Sequence, residues 1–341
     1  MQINKKVGLE IQSEDITSLL NTYFSSLMAG FYEMQSSFLS GIYKRYNNIE
    51  SAHIILCLAE KTHLEILRQR EKSMNHDLSL KNFWNNYKNI TNPTQKIVSI
   101  VKTTGIPKET ARRKIKNLIS QDIVLFDKNI KEYSWNLLLK YKESYLQIYS
   151  KETKMLSTFV STFAEYLKLP LNKDLVLREI ESQFSFYWYH FLACQLKWLK
   201  MWQEKIKDID LILISLQAVI PTLQYIDKNI NLKKIGLDNL YMIVGQTNNQ
   251  YKFSEASVSA ASVSEITGIP RATCIRKLER LAKLGLLERD GPSKRFFISQ
   301  LSINKTKNIF FHENINLTVR IFSEFLCIIL NNLSRQKNIV A

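Results

Sequence analysis

The chain has 341 residues, 45% hydrophobic and 23% charged, the balance of a globular protein long enough for two ordinary domains. Its 47 Lys and Arg against 31 Asp and Glu leave a net charge of +16, which favours a polyanionic partner, either nucleic acid or an anionic surface. Nine Gly and six Pro are too few for a turn-rich all-β protein, and four scattered Cys exclude a disulfide framework, so a mainly helical chain with reduced thiols is expected.

The opening "MQINKKVGLEIQSEDI" has no apolar core of the kind a secretory leader needs, and a cytoplasmic location is expected. The helical stretch "IESAHIILCLAEKTHLEIL" (49–67) spaces His53, Cys57 and Glu60 at i, i+4 and i+7, a spacing that could ligate a metal. It lacks a fourth ligand, so a buried thiol beside a partly exposed His is the preferred reading, with no metal and no cofactor. Next comes "TGIPKETARRKIKNLISQDIVLFDKNIKEYSW" (104–135), then the apolar rhythm "LSTFVSTFAEYL" (156–167). Pro170 in "KLPLNKD" (168–174) interrupts a helical pattern and marks a boundary between units 1–170 and 171–341.

The second unit contains an aromatic run at 184–202, expected as core or interface, with lining of a small-molecule effector pocket as the alternative. Asp210 and Pro221 in 209–226, and His190, Lys197 and Lys200 in 184–202, interrupt the most apolar stretches, so no membrane span is expected. "TGIPRATCIRKLERLAKLGLLERDGPSKRFFI" (267–298) follows, and "TVRIFSEFLCII" (318–329) repeats the rhythm of 156–167.

The segments 104–135 and 267–298 align without a gap at an offset of 163. Ten pairs are identical: Thr104/Thr267, Gly105/Gly268, Ile106/Ile269, Pro107/Pro270, Thr110/Thr273, Arg113/Arg276, Lys114/Lys277, Leu118/Leu281, Asp127/Asp290 and Lys131/Lys294. In the second copy a helix is expected over 262–267, with Ser262 as its cap and Gly268 as the turn after it. Pro270 then starts a helix running to about Leu284, and Gly285 supplies its left-handed stop. "LLERD" and "KRFFIS" around "GPS" predict a β-hairpin. On the helical wheel Cys274, Leu278 and Leu281 face inward, as do Ala111, Ile115 and Leu118. Thr273, Arg276, Arg280 and Lys283 face out, as do Thr110, Arg113, Asn117 and Ser120.

Helix, turn, helix and hairpin, with "TGIPRAT…RKLERLAKLGLLERDG", resembles the winged helix-turn-helix of bacterial regulators of the IclR type and, in general shape, the MarR type. The resemblance covers about 40 residues per copy, and no counterpart of the IclR effector domain is present. It implies a mainly α fold with small β-hairpin wings: two tandem winged modules, each flanked by helices, in a pseudo-twofold internal duplication. It also implies that the second helix of each module, 107–121 and 270–284, enters the major groove of double-stranded DNA.

On that reading Thr110, Arg113 and Asn117 in the first copy, and Thr273, Arg276, Arg280 and Lys283 in the second, lie on the face turned to the groove, and Arg112 also contacts DNA. Lys108, Arg271, Lys114 and Lys277 suit phosphates, and Lys128, Lys131, Lys294 and Arg295 charge the wings. Residues 93–137 and 255–299 together hold half of the excess positive charge. No nucleotide-binding, hydrolase or metalloprotease motif occurs, and no enzyme is expected. The expectation is a sequence-specific regulator acting as a monomeric pseudo-dimer or a homodimer. A plasmid-type replication initiator and a winged-helix assembly module are the alternatives.

Overall fold

A computed structural model describes residues 10–230, 235–245, 253–298 and 309–340. The chain start, read above for a leader, and Ser299 of the last hairpin segment therefore lie partly or wholly outside the described residues.

The protein is mostly helical, with two small antiparallel strand pairs among the described residues. Helices α1 (Ser13–Thr22), α2 (Phe24–Tyr46), α3 (Ile49–Lys72) and α4 (Phe83–Asn89) precede the short pair α5 (Ile97–Thr104) and α6 (Lys108–Ser120). Strands β1 (Val124–Asp127) and β2 (Glu132–Trp135) follow, and α7 (Lys142–Tyr166) closes the first half. The second half runs α8 (Lys173–Ser182), α9 (Phe184–Ile206), α10 (Asp210–Asn229), α11 (Leu237–Gly245), α12 (Ala260–Thr267) and α13 (Arg271–Lys283). Strands β3 (Leu287–Arg289) and β4 (Phe296–Ile298) and the long α14 (Ile309–Val340) complete it.

Element lengths recur between the halves. α1 and α8 each have 10 residues, and α2 and α9 each have 23. α5 and α12 have 8, and α6 and α13 have 13. The breaks recur too. Tyr23 (φ −114, ψ 42) and Gln183 (φ −113, ψ 37) separate the first two helices of each half. Asn47 (φ 56) and Lys207 (φ 57) turn the chain in the left-handed region before α3 and α10.

The main core is shared between the halves, beside a small cluster of Ile226, Ile230, Ile235, Ile243 and Phe253 within the second. α2 packs on α10 and α3 on α9; α1 packs on α14 and α8 on α7. Exchanging first-half for second-half elements turns each of these contacts into its partner. One hydrophobic cluster consequently runs through both halves, with Phe31 of α2 against Phe322 of α14 at 4.1 Å between ring centroids. Gln35 and Gln195 hold the same position in α2 and α9, and Gln195 Nε2 donates to Gln35 Oε1 at 2.7 Å in a buried site.

The segment Glu313–Arg335 of α14, which contains the repeated apolar rhythm 318–329, is long and apolar enough to cross a membrane, with a mean hydropathy of 1.3. Half of its apolar window is buried, and α14 packs on α1 and α9, so that face is occupied by the protein's own helices.

Candidate nucleic-acid interface

The ten identities between the repeated segments sort by what each side chain does. Thr104 and Thr267 are fully buried. Each Oγ1 donates to a carbonyl one turn back, Ile100 at 2.8 Å and Val263 at 2.6 Å, and accepts from the N–H two residues on. Gly105 (φ 69) and Gly268 (φ 76) then end α5 and α12 in the left-handed region. Ile106, Ile269, Leu118 and Leu281 are core, and Pro107 and Pro270 stand just before the next helices as their N-caps. Asp127 and Asp290 accept backbone N–H groups in the hairpin turns, Asn129 at 2.8 Å and Ser293 at 2.9 Å. Lys131 and Lys294 supply the left-handed residue, φ 57 and 54, that closes each turn.

Lys114 and Lys277 also have an internal task, which corrects the expectation that they reach for phosphate. Lys114 Nζ lies 3.6 Å from Glu50 in the first turn of α3. Lys277 Nζ lies 2.6 Å from Asp208 and 3.3 Å from Asp210, the first residue of α10. Their side chains are only 19% and 12% exposed, so each lysine clasps its short helix to a long one and has little left to offer a ligand. Burial pushes the Asp210 carboxyl up and the Lys277 ammonium draws it back down.

Two identical pairs remain. Thr110 and Thr273 are half-buried, and Arg113 and Arg276 are exposed. Among the described residues neither arginine has a hydrogen-bond or ion-pair partner.

Around Arg276 the outer face of α13 presents Arg271, Arg280 and Lys283, all exposed. Arg280 Nη1 is held 2.9 Å from Asp208 Oδ2 while its side chain stays 52% exposed. Asp208, Arg276, Lys277, Glu279, Arg280 and Lys283 line an open cleft along this face. On α6 the exposed residues are Lys108, Glu109, Arg112, Arg113, Lys116, Asn117 and Ser120. Arg112 is paired with Glu109 on its own helix at 2.6 Å, both well exposed, a contact of little energetic weight that nonetheless neutralises local charge.

The hairpins pair in simple antiparallel register, Val124 opposite Trp135 and Leu287 opposite Ile298. Each gains a third, one-residue strand that the sequence reading missed: Gln95 bridges Tyr133, and Val258 bridges Phe296. Lys128, Lys131, Lys294 and Arg295 are exposed on the wings, with Arg295 tethered at one end, its Nη2 donating to Ser257 O at 2.6 Å. The wings differ in chemistry. The first exposes Leu125 (47%), Phe126 (39%) and Ile130 (50%), where the second carries Glu288, Arg289 and Ser293.

Two smaller expectations need correction. The cap of α12 is Ser259, which accepts from Ser262 N, because the helix begins two residues before the expected start. His53 is fully buried rather than partly exposed, and burial pushes it down to about 3. Cys57 is buried as expected, its thiol pushed up to about 11 by burial, and it contacts Gln95. Among the described residues no group of three His, Cys, Asp or Glu side chains is placed to hold a metal. In the aromatic run Phe184, Tyr187, Trp188, Phe191, Trp198 and Trp202 are buried core, packed edge-on or tilted against Tyr149, Phe38 and Phe325 among others.

Comparison with protein-family models, with curated proteins and with solved structures gives no match.

Proposed function

We propose that the protein is a sequence-specific regulator that binds double-stranded DNA through two tandem winged helix-turn-helix modules, α5–α6–β1–β2 and α12–α13–β3–β4. The observation that carries this reading is the fate of the ten repeated identities. Eight fall to turns, caps, core or helix clasps, and on the two second helices Arg113/Arg276 is the identical pair that is exposed and without an internal partner among the described residues; Lys131/Lys294, whose backbones close the hairpin turns, also leave their ammonium groups exposed on the wings. Nothing in the packing asks for arginine at those two places. A guanidinium on the outer face of a second helix suits the edge of guanine, at roughly 1–3 kcal/mol of discrimination per bidentate contact.

The pairing of long helices supports an intramolecular pseudo-dimer. Residues at equal positions of two repeats, such as Gln35 and Gln195, touch each other only near an axis relating the repeats. The modules have diverged, with Arg280 and Lys283 on α13 where α6 has Asn117 and Ser120, so the reading carries an asymmetric site rather than a palindrome. A cytoplasmic chain with no catalytic role accompanies it.

Selection of duplexes from a random pool tests the proposal. The expected outcome is a non-palindromic consensus, with Arg276→Ala costing about tenfold or more on the selected site and far less on random duplex. Absence of duplex binding at low salt, or recovery of strict palindromes, contradicts it. The exposed Leu125, Phe126 and Ile130 favour a second reading for the first module alone, as a protein-contact wing. In that case Ile130→Ser leaves DNA affinity unchanged and releases a bound protein.

A further inference from the structure

The clasp between α13 and α10 contains one acid more than it needs. In the first half Lys114 is held by Glu50 alone among the described residues. In the second half the corresponding lysine, Lys277, is held by Asp210, which stands as Glu50 does in the first turn of its long helix. Asp208 is additional. The residue in its place in the first half is Asn48, two before Glu50, which caps α3 by accepting from Ser51 N at 3.0 Å. Asp208 makes a different set of contacts: Oδ1 takes Lys277 at 2.6 Å and Oδ2 takes Arg280 at 2.9 Å.

The acid and the arginine occur together. Where the second half has Asp208 and Arg280, the first has Asn48 and Asn117. Asp208 follows Lys207, whose left-handed backbone ends α9, so its carboxylate sits on a fixed turn between two long helices. Arg280 projects from α13 into the open cleft with Arg276 and Lys283, half exposed yet anchored through one guanidinium nitrogen. A free arginine in that position would sample many rotamers and meet phosphates at any sequence. One fixed by a carboxylate keeps its remaining N–H groups aimed in a single direction.

We infer that Asp208 is a positioning residue for sequence discrimination: it holds Arg280 for a guanine edge and withholds it from non-specific phosphate contact. The inference rests on the DNA-binding reading above and names a second base-reading side chain in the second module. Asp208 itself touches no base. It trades general affinity for selectivity, because its own charge cancels part of the positive field of α13.

The test compares wild type, Asp208→Asn, Asp208→Glu and Arg280→Ala on two probes: the duplex selected by the wild-type chain and a random-sequence duplex of the same length. Asp208→Asn is expected to bind the random duplex about three- to tenfold more tightly, with a salt dependence steeper by about one phosphate contact. Repeated selection with this variant is expected to lose one guanine from the consensus, the same one lost with Arg280→Ala, and Asp208→Glu to restore it in part. Lys277 keeps Asp210 in every variant, and thermal melting is followed alongside to separate fold loss from changed selectivity. If Asp208→Asn keeps the complete consensus while Arg280→Ala loses a base, or if only its melting temperature changes, the positioning role is overturned and the DNA reading stands. If the wild-type chain selects no sequence and binds no duplex, the DNA reading fails and the inference goes with it.

Discussion

His63 shows at the scale of one residue how burial fixes chemistry. It is fully buried, stacked on Phe83 at 5.0 Å with Phe184 at its edge, and neither ring nitrogen has a hydrogen-bond partner among the described residues. Burial pushes it down to about 3, so the folded protein keeps it neutral while the unfolded chain, near 6.5, takes up a proton. The unfolded state therefore binds more protons between those two values, and His63 lowers stability as pH falls from about 6.5 towards 3. His63→Phe removes this term. Relative to wild type, the variant is expected to gain about 1.4 kcal/mol per pH unit below 6.5 in urea unfolding. A difference that stays constant from pH 7 to 5 would show that the ring protonates without leaving its site. The arginines that carry the functional reading are at the other extreme. Arg113 and Arg276 are exposed, their identity is not demanded by packing, and the wheel places them outward from sequence alone.

At the scale of elements, the short helix pairs were the most legible part of the chain. Ala111, Ile115, Leu118, Cys274, Leu278 and Leu281 are all buried as the 3.6-residue period requires, and Gly105, Gly268 and Gly285 all adopt positive φ. The two second-module glycines do unequal work. A Cβ on Gly268 would stand 2.7 Å from Lys44 Cγ in α2, whereas one on Gly285 would meet nothing within 4 Å among the described residues. At the position matching Gly285 the first half carries Asp122 at φ 57. Gly268→Ala is accordingly expected to cost about 1–3 kcal/mol, from left-handed strain plus displacement of the Lys44 stem, and Gly285→Asn less than about 1 kcal/mol. Equal costs in denaturant titrations would mean that the α12 turn does not press on α2. The clasps were not legible. Lys114 and Lys277 sit on the helix flank, where they read as phosphate contacts, and their acids are far away in sequence. Moreover, Glu50 and Asp210 repeat at an offset of 160 rather than 163, so an ungapped alignment never pairs them. The third wing strand was missed because it is one bridge long, at Gln95 and Val258, too short for any alternation to register.

Over the whole molecule, the sequence suggested a boundary at 168–174, and the chain does turn there, between α7 and α8. It could not show that the long helices on either side interlock, since α2 with α10 and α3 with α9 are contacts between halves. The buried Gln35–Gln195 bond is a marker of that interlocking. Gln195→Leu alone leaves Gln35 buried without its partner and is expected to cost about 1–3 kcal/mol. Gln35→Leu with Gln195→Leu is expected to be close to neutral, because both polar groups then leave the core together. A double variant as unstable as the sum of the two singles would argue that these helices do not meet as described.

One chain presenting two outward arginine-bearing helices to a single duplex is the central claim, and hydroxyl-radical footprinting of a 1:1 complex tests it most directly. Two protected patches about one helical turn (~34 Å) apart on one face of the DNA are expected, one lost with Arg113→Ala and the other with Arg276→Ala. A single patch unaffected by either substitution, or two patches that form only when two chains are bound, would contradict it.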